Sequence, residues 1–379
     1  MKIPVLGVGC TAFGQLWHES LANLLAQSQM KALKDARINA SEIDLLIVAN
    51  MGAELWNRQG HVGALAADVL GVSIPTLRIE SACASGGAAL ATGVMAIMSG
   101  TARTVMISGV EKMTDVDPAV ITSGLMSACR QDAECLTGAS FASLFALVTN
   151  NYFYHYGINR KHLAAISVKN HAHALHNPLA HLRKKITIEQ VMQSSMVADP
   201  LSLFDCSPIS DGAATIILGN GSGRVNIIAS AQATDAMVMA SRPTLTSFAA
   251  TKTAAQRAYA QAGIGSEAVN VAEVHDAFTM AEIIALEDLG FYLTGTTGQA
   301  TLDGQTTIGG IQPINTSGGL KAKGHPIGAT GIAQAVEIVL QLRREAGARQ
   351  VKDARIGLTH NMGGIGTTVA VHIFERSYE

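Results

Sequence analysis

The chain has 379 residues, of which 48% are hydrophobic and only 15% charged, and its formal net charge is −2. This length suggests two halves or domains, because a single core of that size is uncommon. The near-zero net charge excludes a general electrostatic attraction to nucleic acids or to anionic membranes. The small charged fraction also favours a homo-oligomer, in which much surface is buried between subunits.

The cysteines form no Cys-x-x-Cys pair, so neither a disulfide framework nor a zinc knuckle is indicated. They are Cys10, Cys83, Cys129, Cys135 and Cys206. Unpaired thiols and the lack of a signal-peptide pattern near residue 1 predict a cytoplasmic protein. The uncharged segment 81–102 is long enough to span a membrane, but its Gly, Ser and Thr residues favour a close-packed internal helix. We therefore expect no membrane association.

The first part of the chain alternates strands and helices. In chain order, hydrophobic periodicity predicts a strand at 3–10, a helix at 21–36, a strand at 43–50, a helix at 61–70, a strand at 76–79, a helix after Cys83 and a strand at 104–110. A buried strand at 211–218 is expected to complete this half. The intervening residues 111–205 break the pattern and are predicted to form an inserted loop domain.

The same order of elements recurs after residue 221. The pattern predicts a strand at 225–230, a helix at 248–262, a strand at 269–274, a helix at 279–289, a strand near 311–314, a helix at 329–344 and strands at 356–359 and 367–374. This is an α/β chain with two copies of one plan and mostly parallel or mixed sheets. The predicted division is 1–110 completed by 206–220, an insert at 111–205, and 221–379.

Cys83 lies where a short apolar strand meets the uncharged helix. The N-terminus of a helix favours a thiolate, because unpaired N–H groups and the helix dipole face the sulfur. The small neighbours Ala82, Ala84, Gly86 and Gly87 would let a substrate approach closely. These features predict a nucleophile, and the alternative is a buried, inert cysteine.

His325 stands between Gly324 and Pro326, ahead of a helix rich in small residues. A histidine fixed in such a turn, with a pKa near neutrality, could act as the general base that deprotonates a thiol. The alternatives are a glycine loop that binds phosphate and a plain turn.

Two further polar segments end predicted strands. His275 follows a strand and could donate a hydrogen bond to a thioester oxygen, or merely cap the strand. The segment 360–366 begins with His360 and Asn361 and continues through a glycine turn. Backbone N–H groups of such a turn could stabilise an oxyanion. The alternative is a tight connection between two strands.

In their order and approximate spacing, these four segments resemble the motifs of the thiolase family. Residues 197–218 also resemble the stretch that returns from the thiolase loop domain, so the similarity covers essentially the whole chain. The resemblance is greatest to the sterol-carrier-protein-2-like nondecarboxylating thiolases and to archaeal acetoacetyl-CoA thiolases. Those branches carry a His-Asp pair where this chain has 275–276 and a His-Asn pair where it has 360–361.

The resemblance implies the thiolase fold, two similar halves in a five-layered αβαβα arrangement with an inserted loop domain. It implies that Cys83 is acylated, that His325 activates it, and that His275 helps to bind the oxygen of the attacking enolate. The N–H groups of Cys83 and Met362 would bind the acyl-enzyme oxyanion. The substrate-binding residues that it implies are Met362, Gly364, Gly319 and Phe278.

One feature departs from the family pattern. The family uses a second cysteine to move the α-proton, and here the two positions that can carry it are His360 and Ala277. Either His360 substitutes for that cysteine, or another residue enters the site, or the reaction is impaired. Our hypothesis is that His360 assists proton transfer, and unchanged rates in His360→Ala would exclude that role.

The resemblance implies an acyltransferase that forms or cleaves 3-ketoacyl-CoA, with acetoacetyl-CoA from two acetyl-CoA as the expected product. One alternative is a condensing enzyme of ketoacyl-synthase type, or another C-acyltransferase, that uses the Cys-His-His set. The other is a subunit that depends on partners, because archaeal relatives associate with an OB-fold acyl-CoA-binding protein and with HMG-CoA synthase. A homodimer or a dimer of dimers is expected, with CoA thioesters as substrates and neither a cofactor nor a metal.

The insert contains a cluster of histidines and basic residues. A metal site at 171–176 is possible, but no acidic or thiol partner has the spacing of a ligand. The resemblance implies that the loop domain covers the active site and binds CoA, so basic side chains could contact its phosphates. A solvated face is the alternative. The cluster comprises His155, His162, His171, His173, His176, His181, Lys161, Lys169, Arg183, Lys184 and Lys185.

Overall fold

The computed structural model of the protein describes residues 1–377. Its strands are β1 (Ile3–Cys10), β2 (Leu45–Ala49), β3 (Thr76–Ile79), β4 (Thr104–Glu111), β5 (Met196–Ala198), β6 (Leu201–Ser202), β7 (Gly212–Gly219), β8 (Val225–Thr234), β9 (Val271–Glu273), β10 (Ile356–Gly363) and β11 (Thr368–Arg376). Its α-helices are α1 (Leu21–Ala36), α2 (Ala53–Trp56), α3 (Val62–Leu70), α4 (Ser85–Met98), α5 (Pro118–Leu125), α6 (Phe141–Tyr156), α7 (Arg160–Ala174), α8 (Ile188–Met192), α9 (Ala249–Ala262), α10 (Thr279–Asp288), α11 (Thr297–Leu302), α12 (Gly319–Lys323) and α13 (Ile327–Arg343).

Two sheets repeat one strand order. The first runs β3-β2-β4-β7-β1 and the second β9-β10-β11-β8. In the first sheet, the antiparallel strand β7 lies between the parallel strand β4 and β1, the first strand of that half. In the second sheet, the antiparallel strand β11 lies in the same way between β10 and β8. The two sheets are joined at one edge, where β1 and β8 pair through Ile3 with Ile227 and Pro4 with Asn226, so the strands are continuous from β3 to β9. The mixed α/β fold with two similar halves is thus confirmed.

One predicted strand is wrong. Residues 311–314 form a single bridge, Ile314 to Ala272, instead of a strand. That bridge is parallel to β9, as β3 is parallel to β2, so it occupies the place of an edge strand. Pro313 lacks an N–H donor, and Ile311 is 84% exposed, so neither residue favours a longer ladder. The apolar residues that suggested a strand therefore mark one point of contact.

Helices α4 and α13 form the middle layer, with α1 and α3 outside the first sheet and α9 and α10 outside the second. All residues of α13 except Leu340 are buried, and most of them are apolar or small, as expected for a helix enclosed by other elements. Glycines let the two helices meet backbone to backbone, since a Cβ on Gly86 would lie 2.7 Å from the N atom of Gly331. The five-layered arrangement is confirmed by this packing.

The insert carries α5 to α8 and packs over the second half, where α7 contacts α10, α11 and α12. Its two ends are tied together by Asp211, which accepts hydrogen bonds from Lys112 Nζ (2.9 Å) and from the N–H groups of Met113 and Thr114. β7 then returns to the first sheet between β4 and β1. The domain boundaries drawn from the sequence stay a prediction. Among residues 1–377, no helix is long and apolar enough to cross a membrane.

Candidate active site

The nucleophile loop joins β3 to α4. Ala82 has φ +50°, a conformation that costs a non-glycine residue energy and recurs at functional sites. Ser85 holds this turn closed, because its Oγ accepts from the N–H of Ser81 (2.8 Å) and donates to the carbonyl of Ala82 (2.6 Å). Cys83 is thereby presented just ahead of α4.

His325 is held in one tautomer by Thr330. The Thr330 hydroxyl donates its single hydrogen to the carbonyl of Pro326 (2.9 Å), so it accepts from the Nδ1–H of His325 (2.6 Å). His325 Nε2 then carries the lone pair. It is buried and finds no hydrogen-bond partner among the described residues. A neutral histidine with a free, buried Nε2 is a general base awaiting its proton donor.

Asn361 connects the nucleophile to the second histidine. Its Nδ2 donates to the carbonyl of Cys83 (2.9 Å) and to Nδ1 of His275 (3.2 Å), while its Oδ1 accepts from the N–H of Gly87 (2.9 Å). Since Nδ1 of His275 accepts, its Nε2 bears the hydrogen. His275 can therefore donate a hydrogen bond to a developing oxyanion.

These groups converge. Sγ of Cys83 and one ring nitrogen of each of His275 and His325 lie within 4.8 Å of one another. The two rings meet edge to face with centroids 5.0 Å apart. They open into a cavity of about 120 Å³ with mainly apolar walls. Its lining comprises Cys83, Met113, Leu125, Phe141, Phe145, Cys206, Ser207, Pro208, Ile209, His275, Ala277, Phe278, His325, Ile327, Met362 and Gly364.

Burial sets the resting protonation states. It raises the pKa of Cys83 to about 12 and lowers the pKa of His325 to about 3. Desolvation of the buried sulfur thus acts against the expected thiolate at the helix N-terminus, and that expectation stays a prediction. At neutral pH the pair is a thiol and a neutral imidazole. Cys83 must transfer its proton to His325 as it attacks.

Two backbone N–H groups act on the Cys83 sulfur. The N–H of Gly364 and that of Cys83 itself both lower the pKa of the thiol. Gly364 has φ +63°, which favours glycine at that position. These donors stabilise negative charge on or beside the sulfur, as acyl transfer requires.

The structure brings together most of the predicted site. Met362 and Phe278 line the cavity with Cys83. Gly319 does not line it, because it packs on Asp276, whose Oδ2 would lie 2.2 Å from a Cβ at Gly319. His360 is also outside the cavity lining. It lies behind His275, where its Nδ1 accepts from the N–H of His275 (3.4 Å) and its Nε2 donates to Thr251 Oγ1 (3.1 Å).

Sequence reasoning assigned no role to three residues that shape the site. They are Asn361, Thr330 and Glu111. Glu111 accepts four hydrogen bonds, from Asn50 Nδ2 and from the N–H groups of Met51, Gly52 and Gly328, and so fixes the start of α13 against the first sheet. Asn361 is adjacent to His360, and Thr330 lies five residues after His325, both inside the motifs described above. Their closeness in sequence to these histidines was the signal that could have identified them.

The three side chains that converge in the cavity also have the donor atoms of a metal site. Within residues 1–377, the set Cys83, His275 and His325 has thiol and imidazole donors close enough to share one ion. Such donors suit Zn²⁺. An ion there would occupy the nucleophile and the base together, and would therefore block acyl transfer.

Comparison with known proteins agrees with this geometry. Residues 4–222 match the model "Thiolase, N-terminal domain" and residues 231–376 match "Thiolase C-terminal domain-like". The chain is 47% identical to an acetyl-CoA acetyltransferase of Methanothermobacter thermautotrophicus, over 99% of both chains. It is 32% identical to sterol carrier protein 2 of Bos taurus, over 100% of this chain and 73% of that protein.

The fold has solved counterparts. The structure titled "Ltp2-ChsH2(DUF35) aldolase" superposes with a TM-score of 0.85 at 22% identity and covers 100% of this chain and 99% of the other. Two family models that together span nearly all of the chain, and relatives of matching length, agree with the Cys-His-His site at the meeting point of two similar halves. The chain belongs to the thiolase family.

Proposed function

We propose that the protein condenses two acetyl-CoA into acetoacetyl-CoA and catalyses the reverse thiolysis through an acetyl-Cys83 intermediate. The observation that carries this proposal is the convergence of Cys83 Sγ with the ring nitrogens of His275 and His325 within 4.8 Å. The high identity to acetyl-CoA acetyltransferases over full length supports the acetyl group as substrate.

Acylation uses the first histidine. As Sγ of Cys83 attacks the thioester carbon, His325 Nε2 accepts its proton, and the Thr330 hydroxyl holds Nδ1–H in place. The carbonyl oxygen gains negative charge in the tetrahedral intermediate. The N–H groups of Cys83 and Gly364 lie beside the sulfur and can donate to that oxygen, and Met362 lines the same wall. We retain the Met362 N–H as a proposed donor.

Condensation uses the second histidine. Loss of an α-proton from a second acetyl-CoA gives an enolate, whose oxygen needs a donor in a site shielded from water. His275 Nε2–H is available for that oxygen because Asn361 occupies Nδ1. His360 positions His275 through its backbone N–H. We therefore propose that any contribution of His360 to proton transfer is indirect.

Intact-protein mass spectrometry tests the proposal. Incubation with acetyl-CoA should add one acetyl group to the wild-type chain, which peptide mapping should place on Cys83 and a CoA chase should remove. The Cys83→Ala chain should gain nothing, whereas Cys135→Ala should be acetylated like the wild type, because Cys135 does not line the cavity. A wild-type chain that condenses acetyl-CoA without an adduct on Cys83 would contradict the mechanism.

A condensing enzyme of ketoacyl-synthase type is the second candidate. One observation favours it, since the cavity holds a Cys-His-His set and Ala277 faces it with no ionisable group. Such an enzyme would generate its carbanion by losing CO₂ from a malonyl group and would need no base for an α-proton. Formation of acetoacetyl-CoA only with malonyl-CoA, and no cleavage of acetoacetyl-CoA by CoA, would favour this candidate.

We further propose that CoA enters beside the insert. Leu125, Phe141 and Phe145 of the insert line the cavity, and the basic run 183–185 is exposed. Cationic side chains there could contact the phosphates of CoA. Replacing all three by glutamine should raise the KM for acetyl-CoA and leave kcat within about twofold.

We propose a homodimer joined along β3. This strand is the edge of the first sheet, and Leu77, Met95 and Met98 near it are exposed. Exposed edge strands with apolar side chains favour association. Light scattering should give twice the chain mass of 39.5 kDa for the wild type, and Leu77→Lys should shift it toward one chain. A monomeric wild type would contradict the interface.

Two wider aspects are proposals as well. The solved Ltp2-ChsH2(DUF35) aldolase supports a protein partner, and the resemblance implies an OB-fold acyl-CoA-binding protein and HMG-CoA synthase. Co-purification with each, and a gain of activity on mixing, would test both. A cytoplasmic location is proposed because all five cysteines are free. Cell fractionation checks it.

A further inference from the structure

Cys206 lines the same cavity as Cys83, although the two residues lie far apart in the sequence. It is brought there by a local pairing between the segment that follows the insert and the segment that follows β9. Cys206 forms an antiparallel bridge with Phe278, and the N–H of Ser207 donates to the carbonyl of Ala277 (2.9 Å). The backbone of Cys206 therefore runs beside Ala277, and Cys206, Ala277 and His275 line the same cavity.

The cavity has few groups that can hold a proton. Its described lining contains Cys83, His275, His325 and Cys206 as ionisable residues, and the other lining residues are apolar or, at Ser207, a hydroxyl. Cys83 is the acyl carrier. His275 donates Nε2–H to an oxyanion, because its Nδ1 is occupied by Asn361. His325 Nε2 has already accepted the proton of Cys83 during acylation, so it has no lone pair left for a second proton.

We propose that the Cys206 thiol moves the α-proton of the second acetyl-CoA, which it accepts during condensation and returns during thiolysis. This inference rests on the proposed function and adds the group that completes it. Cys206 would be a catalytic residue, since in this role it would contact the reacting methyl group.

The protons balance over one condensation. Acylation breaks the C–S bond of acetyl-CoA, and the CoA thiolate leaves with the proton of Cys206. The Cys206 thiolate then accepts a proton from the methyl group of the second acetyl-CoA, and that electron pair forms the C–C bond to the acyl carbon. The C–S bond to Cys83 breaks, and the Cys83 sulfur regains its proton from His325. Thiolysis reverses each step, so the Cys206 thiol protonates the departing carbanion.

The surroundings of Cys206 fit both protonation states. Its Sγ–H donates to the carbonyl of Ser202 (3.5 Å), and burial together with the Asp205 carboxylate raises its pKa to about 12. The resting thiol is therefore the acid that thiolysis needs. The buried Lys321 ammonium acts in the opposite direction and stabilises a thiolate. Burial lowers the pKa of Lys321 to about 8, while Cys206, Asp276 and Asp205 act to raise it.

Deuterium exchange separates this step from acylation. In D₂O, the wild-type chain should exchange the methyl protons of acetyl-CoA for deuterium, and mass spectrometry of acetyl-CoA measures this exchange. Mass spectrometry of the intact protein measures the acetylation of Cys83 in parallel. In Cys206→Ser, we expect exchange and condensation to fall at least about 100-fold, because a serine hydroxyl is a far weaker base near neutral pH. Acetylation of Cys83 should stay within about tenfold, because CoA thiolate is a good leaving group.

The controls assign each outcome. Cys135→Ala should match the wild type in both measurements, and Cys206→Ala should repeat the Cys206→Ser result if circular dichroism shows a native fold. Unchanged exchange in Cys206→Ser would overturn the inference and assign both proton transfers to His325. Equal losses of acetylation and exchange would also overturn it, since they indicate a structural role. A wild-type chain without acetyl-Cys83 would instead refute the proposed function itself.

Discussion

The two halves of the molecule place different residues at the same point of one scaffold. Cys83 comes two positions before α4, which begins at Ser85, and His325 comes two positions before α13, which begins at Ile327. Because α4 and α13 pack against each other in the middle layer, the loops that lead into them face one cavity. A repeated plan thus supplies the nucleophile from one copy and the base from the other.

The halves differ in how the chain reaches that point. In the first half, β3 leads directly into the strained turn at Ala82. In the second half, the edge strand is reduced to the bridge at Ile314, and a buried connection with α12 follows. The longer path lets α12 anchor the His275 loop, because Asp276 accepts hydrogen bonds from the N–H groups of Leu320 and Lys321. Equivalent positions acquire distinct chemistry through their loops, while the sheets and middle helices stay alike.

The largest effect is expected at the first-half position. Cys83→Ala removes the acyl carrier, so condensation and thiolysis should both fall by at least about 10⁴-fold. Steady-state assays in both directions measure this, with Cys135→Ala as the control that keeps its rate. If Cys83→Ala retained a tenth of the wild-type rate, the first half would not supply the nucleophile.

The equivalent second-half position should matter next. His325→Ala removes the base, and we expect single-turnover acetylation of Cys83 to slow by about 10³-fold. Rapid quenching followed by mass spectrometry measures the rate. His155→Ala is a suitable control, because that side chain is exposed on the insert. Equal acetylation rates in His325→Ala and wild type would contradict the view that the second half supplies the base for the nucleophile of the first half.

The pH dependence of alkylation tests the resting state of the pair. Because burial raises the pKa of Cys83 to about 12, the thiolate fraction should grow about tenfold for each pH unit between pH 7 and 10. Iodoacetamide labelling of Cys83 without substrate should accelerate accordingly. A rate that is constant over this range would mean that the helix N-terminus or His325 already holds a thiolate.

Thr330→Val should have the smallest effect. It removes the acceptor for His325 Nδ1–H, so the ring can adopt the other tautomer and we expect kcat to fall about tenfold with KM nearly unchanged. Thr92→Val is a matched control in α4, where the hydroxyl donates to the carbonyl of Ala88 without a histidine partner. A similar loss in both variants would point to helix stability rather than to the tautomer.

The sequence determined most of the fold, because apolar periodicity and glycine placement depend on local geometry. The strands of both halves, the uncharged helix α4 and the mainly apolar helix α13 follow from long apolar runs that need to be buried. The motifs around Cys83, His275 and His325 could also be recognised in the sequence, since small residues beside a polar one indicate that a substrate can approach closely. The strand predicted at 311–314 was wrong, because an apolar run does not show whether it forms a ladder of hydrogen bonds or a single bridge.

Only the tertiary structure decided the protonation states of the site and which residues line its cavity. Burial, which no local pattern reveals, makes Cys83 a thiol and His325 a neutral base. The sequence predicts a catalytic role for His360 and substrate binding for Gly319, yet both lie outside the cavity lining, whereas Cys206 belongs to it. The physical reason is that pKa values and contacts depend on groups distant along the chain, which become neighbours only after the two halves pack around α4 and α13.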